Sequence, residues 1–276
     1  MDPITGSLNS ADGLKLHTVK WIPYGTPKAV LLLLHGAAEH AGRYQHVADF
    51  LTGHGYAVYS MDYVGHGHSE GTRAFLNTLD RPVTDLENYL DQIHASHPET
   101  PVFVYGHSMG SLIGLLLCLR RQGELAGMIS SATPLCADQA ASPLMLYVGQ
   151  LISRILPHLY LVPLDARALS RDEAVVRAYR ADPLVFNQPI RARTASAIID
   201  ASRRLRQQII HLRLPLLIIH GSADTIAPAS GSEYLYQHAG SPDKTLKLYP
   251  DGFHEMHNEP EQATVFDDML AWLDAY

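Results

Sequence analysis

The chain is short of cysteine, of long apolar runs and of excess positive charge, and each shortage removes a class of protein. Only Cys118 and Cys136 occur in 276 residues, too few for a disulfide framework or a thiolate metal cluster. Lys plus Arg number 21 against 28 Asp plus Glu, a formal net charge of −7, which supplies no basic surface for nucleic acid. No uncharged apolar run approaches the ~18 residues of a membrane-spanning helix. The start, Met1-Asp2-Pro3-Ile4-Thr5-Gly6, lacks the basic and apolar regions of a secretory signal. A cytoplasmic location is the expectation. What the chain does have is 46% hydrophobic residues, ample for a buried core, and 16 histidines. That histidine count raises a metal-dependent protein as the first hypothesis. His66-Gly67-His68-Ser69-Glu70 offers a His-x-His pair with no following Asp-His, and His94 and His97 bring no partner cluster. No metal and no cofactor is therefore expected.

Short apolar or β-branched runs alternate with longer amphipathic ones. The candidate strands are 15–21, 29–34, 56–61, 102–105, 127–130, 215–219 and 245–249. Runs such as Ala29-Val30-Leu31-Leu32-Leu33-Leu34 are apolar throughout, the mark of strands buried on both faces of a mostly parallel sheet. Candidate helices fall between them at 44–53, 83–96, 109–121, 230–239 and 261–275. The alternation argues for an α/β fold, a mostly parallel central sheet flanked by helices. The rhythm breaks between about 132 and 213, where Pro134, Pro143, Pro157, Pro163, Pro183 and Pro189 punctuate short helical pieces. Ser142-Pro143 opens one of these, a capping residue followed by proline at the first helical position. The piece it opens, 144–156, is apolar almost all round, with Arg154 its one charge. Two readings fit it: a helix buried in the core, or a cap over a site whose apolar outer side touches lipid.

Gly106-His107-Ser108-Met109-Gly110 follows the strand at 102–105 and opens the helix at 109–121. G-x-S-x-G between a strand and a helix puts a serine hydroxyl on a sharp turn above the carboxyl edge of the sheet. A serine hydroxyl is a weak nucleophile without a base, and the base needs a carboxylate to orient it. Asp224 and His254 each follow a candidate strand, in the order Ser, Asp, His that this arrangement requires. Each alone reads as a solvated loop residue; the three together read as a catalytic triad. His35-Gly36-Ala37-Ala38 follows the strand at 29–34, where a loop supplies one backbone N–H of an oxyanion hole and the residue after the nucleophile supplies the other. Those donors are Ala37 and Met109.

With these residues placed, the chain resembles the serine α/β-hydrolases, and within them the monoacylglycerol lipase and lysophospholipase family. The resemblance is carried by the loop from His35 to Tyr44, by Asp62-Tyr63-Val64-Gly65-His66-Gly67-His68-Ser69-Glu70-Gly71, by the serine pentapeptide, by His220-Gly221-Ser222-Ala223-Asp224 and by His254-Glu255-Met256-His257. It implies an α/β-hydrolase fold with a helical cap inserted after the sixth strand, the core spanning 1–131 and 191–276 and the cap 132–190. It implies hydrolysis of an acyl ester, most simply a monoacylglycerol, whose fatty chain lies in an apolar tunnel under the cap. It also implies a polar head-group pocket at Glu39, Arg43 and His257. Read from the residues alone, Glu39 and Arg43 are equally an i,i+4 ion pair and His257 equally a core histidine. Ser111 departs from the family, which has a second glycine there, and slight crowding of the nearby backbone is expected. The partners implied are a lipid or small ester substrate, no nucleic acid, and a membrane touched through the cap; the sequence carries no signal of oligomeric state. Other readings of the same residues are a short-chain carboxylesterase, a lysophospholipase, a peptidase of the same fold, and a non-catalytic small-molecule binder.

Overall fold

The computed structural model describes residues 2–140 and 142–276. Its strands are β1 (Ile4–Asn9), β2 (Lys15–Trp21), β3 (Val30–Leu34), β4 (Ala57–Met61), β5 (Val102–His107), β6 (Gly127–Ser131), β7 (Tyr160–Val162), β8 (Ile190–Arg191), β9 (Leu216–Gly221) and β10 (Lys244–Tyr249). Its α-helices are α1 (Gln45–Gly53), α2 (Asp80–Ser96), α3 (Met109–Arg121), α4 (Pro143–Ile155), α5 (Glu173–Ala181), α6 (Ala192–Gln208), α7 (Ser230–His238) and α8 (Gln262–Leu273). Eight strands make one sheet in the order β1-β2-β4-β3-β5-β6-β9-β10. β1 and β2 run antiparallel, β2 is antiparallel to β4, and the pairings from β4 through β10 are parallel.

The apolar runs explain this sheet. Every residue of β3 is fully buried, and its side chains alternate between two layers. Val30, Leu32 and Leu34 pack with Leu86, Leu112 and Leu205 from α2, α3 and α6. Leu31 and Leu33 pack with Val47, Leu51, Val265 and Met269 from α1 and α8. Burying a leucine side chain contributes about 1.5–3 kcal/mol, so a five-residue run covered on both faces is a strong anchor.

β1 was not among the expected strands. Its residues are mostly exposed, and Thr5-Gly6-Ser7 shows no apolar alternation. Register with β2 alone, from Ile4 opposite Lys20 to Asn9 opposite Lys15, defines it.

Between β6 and α6 the rhythm does break, as expected, but a two-stranded ribbon stands there, separate from the main sheet, with β7 exposed and β8 half-buried. α4 begins at its expected cap: Ser142 Oγ accepts from Met145 N at 3.3 Å, with Pro143 in the first turn. The core-helix reading of this stretch fails. Leu144, Met145, Tyr147 and Ile155 are 66–71% exposed; helices already cover both faces of the sheet, and α4 packs on α6 with the ribbon beside it. Ser111 is fully buried in the first turns of α3. Its hydroxyl lies 2.7 Å from that of Ser130 on β6, giving both buried groups a partner. No helix among the described residues is long and apolar enough to cross a membrane.

Candidate active site

β3 has β4 on one side and β5 on the other, so strand order reverses there and a crevice opens beyond the carboxyl ends of β3 and β5. The residues singled out in the sequence gather at that edge. Ser108 leaves β5 with φ 54° and ψ −121°, a conformation that side chains rarely adopt, and serves as the N-cap position of α3. Close approach explains the flanking glycines: a Cβ on Gly110 would lie 2.2 Å from the Leu34 carbonyl oxygen, and one on Gly106 would lie 2.6 Å from that of Gly110. Met109 is the first residue of α3, where backbone N–H groups have no intrahelical acceptor.

Asp224 sits on the loop after β9 and is held in place by its own backbone. Its Oδ1 accepts from Ile226 N at 2.8 Å and Ala227 N at 3.0 Å. Its Oδ2 lies 2.7 Å from His254 Nδ1 and 3.1 Å from His220 Nε2. A carboxylate only accepts, so His254 Nδ1 carries the proton and Nε2 is the nitrogen free to take another. Burial opposes ionisation of Asp224, but the charge of His254 and the hydrogen bonds from His220 and His254 outweigh it and hold the carboxyl well below its usual range. The reciprocal holds for His254: burial pushes it down, and Asp224 raises it above the ordinary value of 6.5.

The other site histidines behave differently. His35 and His107 are pushed well down by burial, His66 to about 4 and His257 to about 3. They are neutral rings at neutral pH. His107 stands edge-on between His254 and His257, with centroids 4.8 and 4.9 Å away. His68 lies edge-on to His17 at 5.0 Å, and His66 packs 5.4 Å from His35.

A cavity of about 530 Å³ opens on this edge. Ser108, His254, Ala37, Met109, Glu39 and Glu255 line its polar end, and Leu146, Val162, Leu169, Ile198 and Ile226 are among the residues of its apolar wall. A second, apolar cavity of about 500 Å³ under α4 shares Leu146, Val162, Ala195 and Ile199 with it. Of the three residues expected around a head group, only Glu39 reaches the cavity wall. Arg43 lies behind Tyr179, its guanidinium 4.7 Å from the ring centroid. His257 lies behind His107, stacked on Tyr44 at 4.7 Å. Glu255, Tyr44, Tyr179 and His220 were not assigned from the sequence. Glu255 and Tyr44 fall inside the quoted motifs, while Tyr179 comes from α5, where no local pattern marks it.

The segment over the cavity is tied to the loops beneath it. Phe186 N donates to Ala38 O at 2.8 Å, Glu255 N donates to Leu169 O at 2.8 Å, and His40 Nε2 lies 2.9 Å from Asp182 Oδ2.

Comparison with known proteins agrees with this geometry. A family model described as serine aminopeptidase, S33 matches residues 25–261. The chain is 38% identical over 267 residues to a monoacylglycerol lipase of Mycolicibacterium smegmatis, covering 97% of this chain and 95% of that protein. It is 35% identical over 269 residues to a monoglyceride lipase of Homo sapiens, covering 96% and 89%. Among solved structures, the Paleococcus ferrophilus monoacylglycerol lipase superposes with a TM-score of 0.82 at 29% identity, covering 94% of this chain and 98% of that one. A soluble variant of the Saccharomyces cerevisiae monoglyceride lipase, solved with a substrate analogue, gives 0.88 at 25% identity, covering 100% and 95%. With relatives matching nearly end to end and a serine, a histidine and an aspartate gathered at one sheet edge, the chain belongs to the monoacylglycerol lipase family of serine α/β-hydrolases.

Proposed function

We propose that the protein hydrolyses carboxylic esters, and monoacylglycerols in particular, through an acyl-enzyme on Ser108. The observation that carries this reading is the Asp224–His254 pair at 2.7 Å, with His254 and Ser108 both lining a largely apolar cavity. His254 Nε2 takes the Ser108 proton as Oγ attacks the ester carbonyl. The Ala37 and Met109 amides hold the oxyanion that forms. The intermediate collapses, His254 passes the proton to the leaving alcohol, and Ser108 keeps the acyl group. Water, activated by the same histidine, then attacks the acyl-enzyme and releases the fatty acid. Asp224 orients His254 and stabilises its charged form.

Residues 132–190 act as a cap, and the apolar wall under α4 takes the acyl chain. The outer face of α4, with Leu144, Met145, Tyr147 and Ile155 exposed, touches the lipid surface from which substrate is drawn. Of the three residues expected around a glycerol head, Glu39 is the one placed in the cavity wall to meet it.

The test is reaction with a fluorophosphonate probe, with and without Ser108→Ala, followed by hydrolysis of a chain-length series of monoacylglycerols beside p-nitrophenyl esters and lysophospholipids. Ser108-dependent labelling and preference for long-chain monoacylglycerols are expected. Folded protein without Ser108-dependent labelling overturns the hydrolase reading. Preference for short acyl chains makes it a carboxylesterase, and preference for lysophospholipids changes the head group.

A further inference from the structure

Three charged side chains, Glu39 and Glu255 in the cavity wall and Arg43 behind it, form a chain of contacts that the reaction steps above leave unused. Arg43 donates from both terminal guanidinium nitrogens to Glu255, Nη1 to Oε1 and Nη2 to Oε2, each at 2.7 Å. The same Nη1 also donates to Glu39 Oε2. Glu39 Oε1 accepts from Gly36 N at 2.6 Å and from the Tyr44 hydroxyl at 2.8 Å. Glu255 Oε2 accepts further from Asn258 Nδ2 at 2.7 Å. Glu39 and Glu255 are almost completely buried, and the Arg43 side chain is 9% exposed. Gly36 immediately precedes Ala37, whose amide is an oxyanion donor, and Glu255 immediately follows His254.

We infer that Glu39, Arg43 and Glu255 form a clamp that fixes the oxyanion loop after β3 against the base-bearing loop after β10, with Arg43 and Glu255 as positioning residues rather than ligands of the substrate head group. This rests on the reading of Ser108, Asp224 and His254 as the triad.

Three features support it. Arg43 has both terminal nitrogens engaged by carboxylates and one face covered by Tyr179, so little of it is left for a substrate hydroxyl. A bidentate guanidinium–carboxylate pair fixes angle as well as distance, which a single hydrogen bond does not. The two loops it joins carry the group that stabilises the oxyanion and the group that moves the proton, and their separation is set by no covalent link. The trio also places two carboxylates against one cation close to His254. Burial pushes the Glu39 carboxyl up, whereas Arg43 overcomes burial at Glu255 and holds it well down, and both carboxylates act to raise His254. The titratable and charged groups around His254 are Asp224 on the loop after β9, Glu255 beside it, Glu39 on the loop after β3, and the neutral rings of His107 and His257.

The experiment compares Glu255→Gln and the double variant Arg43→Met/Glu255→Met with the unaltered protein on two esters of one acyl chain, a monoacylglycerol and a p-nitrophenyl ester that has no glycerol. The double variant removes both partners of the bidentate pair together and leaves Glu39 with its bonds from Gly36 N and the Tyr44 hydroxyl, so it keeps the test open if Glu255→Gln does not fold. A clamp lowers kcat on both esters by the same factor, about 10- to 100-fold as small misplacements of catalytic groups do, with KM little changed. In Glu255→Gln the acid limb of the kcat/KM profile also moves to lower pH, because one negative neighbour of His254 is gone. A KM increase confined to the monoacylglycerol shows Arg43 and Glu255 to be head-group ligands and overturns the clamp, and an unchanged kcat on both esters overturns it as well. If the unaltered protein cleaves neither ester, the triad reading has failed instead.

Discussion

β3 and α4 are both apolar runs of unambiguous character, and the fold treats them in opposite ways. Val30-Leu31-Leu32-Leu33-Leu34 is buried on both faces, whereas α4 leaves Leu144, Met145, Tyr147 and Ile155 largely in solvent. Composition does not separate them. The difference is coverage: β3 lies between strands on both sides and helical layers above and below, while α4 is the outermost layer above the cavity. An apolar run states how much surface is unfavourable in water, and the arrangement of its neighbours decides how much is covered. A large exposed apolar face is tolerated where something other than the chain itself covers it part of the time.

The sharpest break between the two regions is catalytic. Ser108→Ala should lower kcat by about 10⁶-fold, as loss of a triad nucleophile does elsewhere, with fluorophosphonate labelling lost and the thermal midpoint unchanged. Substitutions to serine on the outer face of α4 should leave kcat on a soluble p-nitrophenyl ester intact and slow only the hydrolysis of substrate presented in vesicles. A fall in kcat on the soluble ester from Leu144→Ser would erase the distinction. Asp224→Asn should cost about 10⁴-fold, because the amide can no longer hold His254 Nδ1 as donor in the required tautomer. The pH profile sharpens the same edge. In the proposed mechanism only neutral His254 takes the Ser108 proton, and Asp224 raises its pKa above the ordinary value of 6.5. The kcat/KM profile should therefore be flat at higher pH and fall by about tenfold per unit once pH drops below that raised value. An acid limb lying below 6.5 would show that the Asp224–His254 pair is looser than 2.7 Å implies.

Stability should divide in the same way. Leu32→Ala in β3 should cost about 2–5 kcal/mol in urea unfolding, since a fully buried side chain leaves a cavity between fixed layers. Leu144→Ser on α4 should change it by no more than about 0.5 kcal/mol. Smaller still in global effect is Ser142→Ala, which removes the hydroxyl that accepts from Met145 N. It should weaken α4 by about 1 kcal/mol, seen as faster hydrogen exchange in that helix with the exchange of β3 unaltered.

Much of this was legible along the chain. The parallel strands announced themselves as unbroken apolar runs, and Ser108, Asp224 and His254 by following strands in the required order. β1 was not legible, because its residues carry no periodicity and the strand exists only as a partner of β2. Arg43 and His257 were assigned to a head-group pocket, yet they stand behind Tyr179 and His107. Spacing on a short helical turn tells which residues share a face but not whether a side chain from α5, more than 130 positions away, stands in front of them. The histidine count looked like a metal site, whereas the pKa directions separate the raised imidazole of His254 from the lowered ones near it, His35, His66, His107 and His257 among them.

The sequence by itself determined what is local. It set which runs must be buried, where a serine meets a sharp strand-to-helix turn, and where Ser142 and Pro143 start a helix. Each follows from sterics or hydrogen bonding within a few residues. Only the tertiary structure decided what is relative: that α4 is an outer layer, that Arg43 bridges Glu39 and Glu255 across more than 200 positions, and that Tyr179 screens Arg43 from the cavity. Distance and coverage between remote segments depend on how the layers pack, and no stretch of chain short enough to read as a motif contains that information.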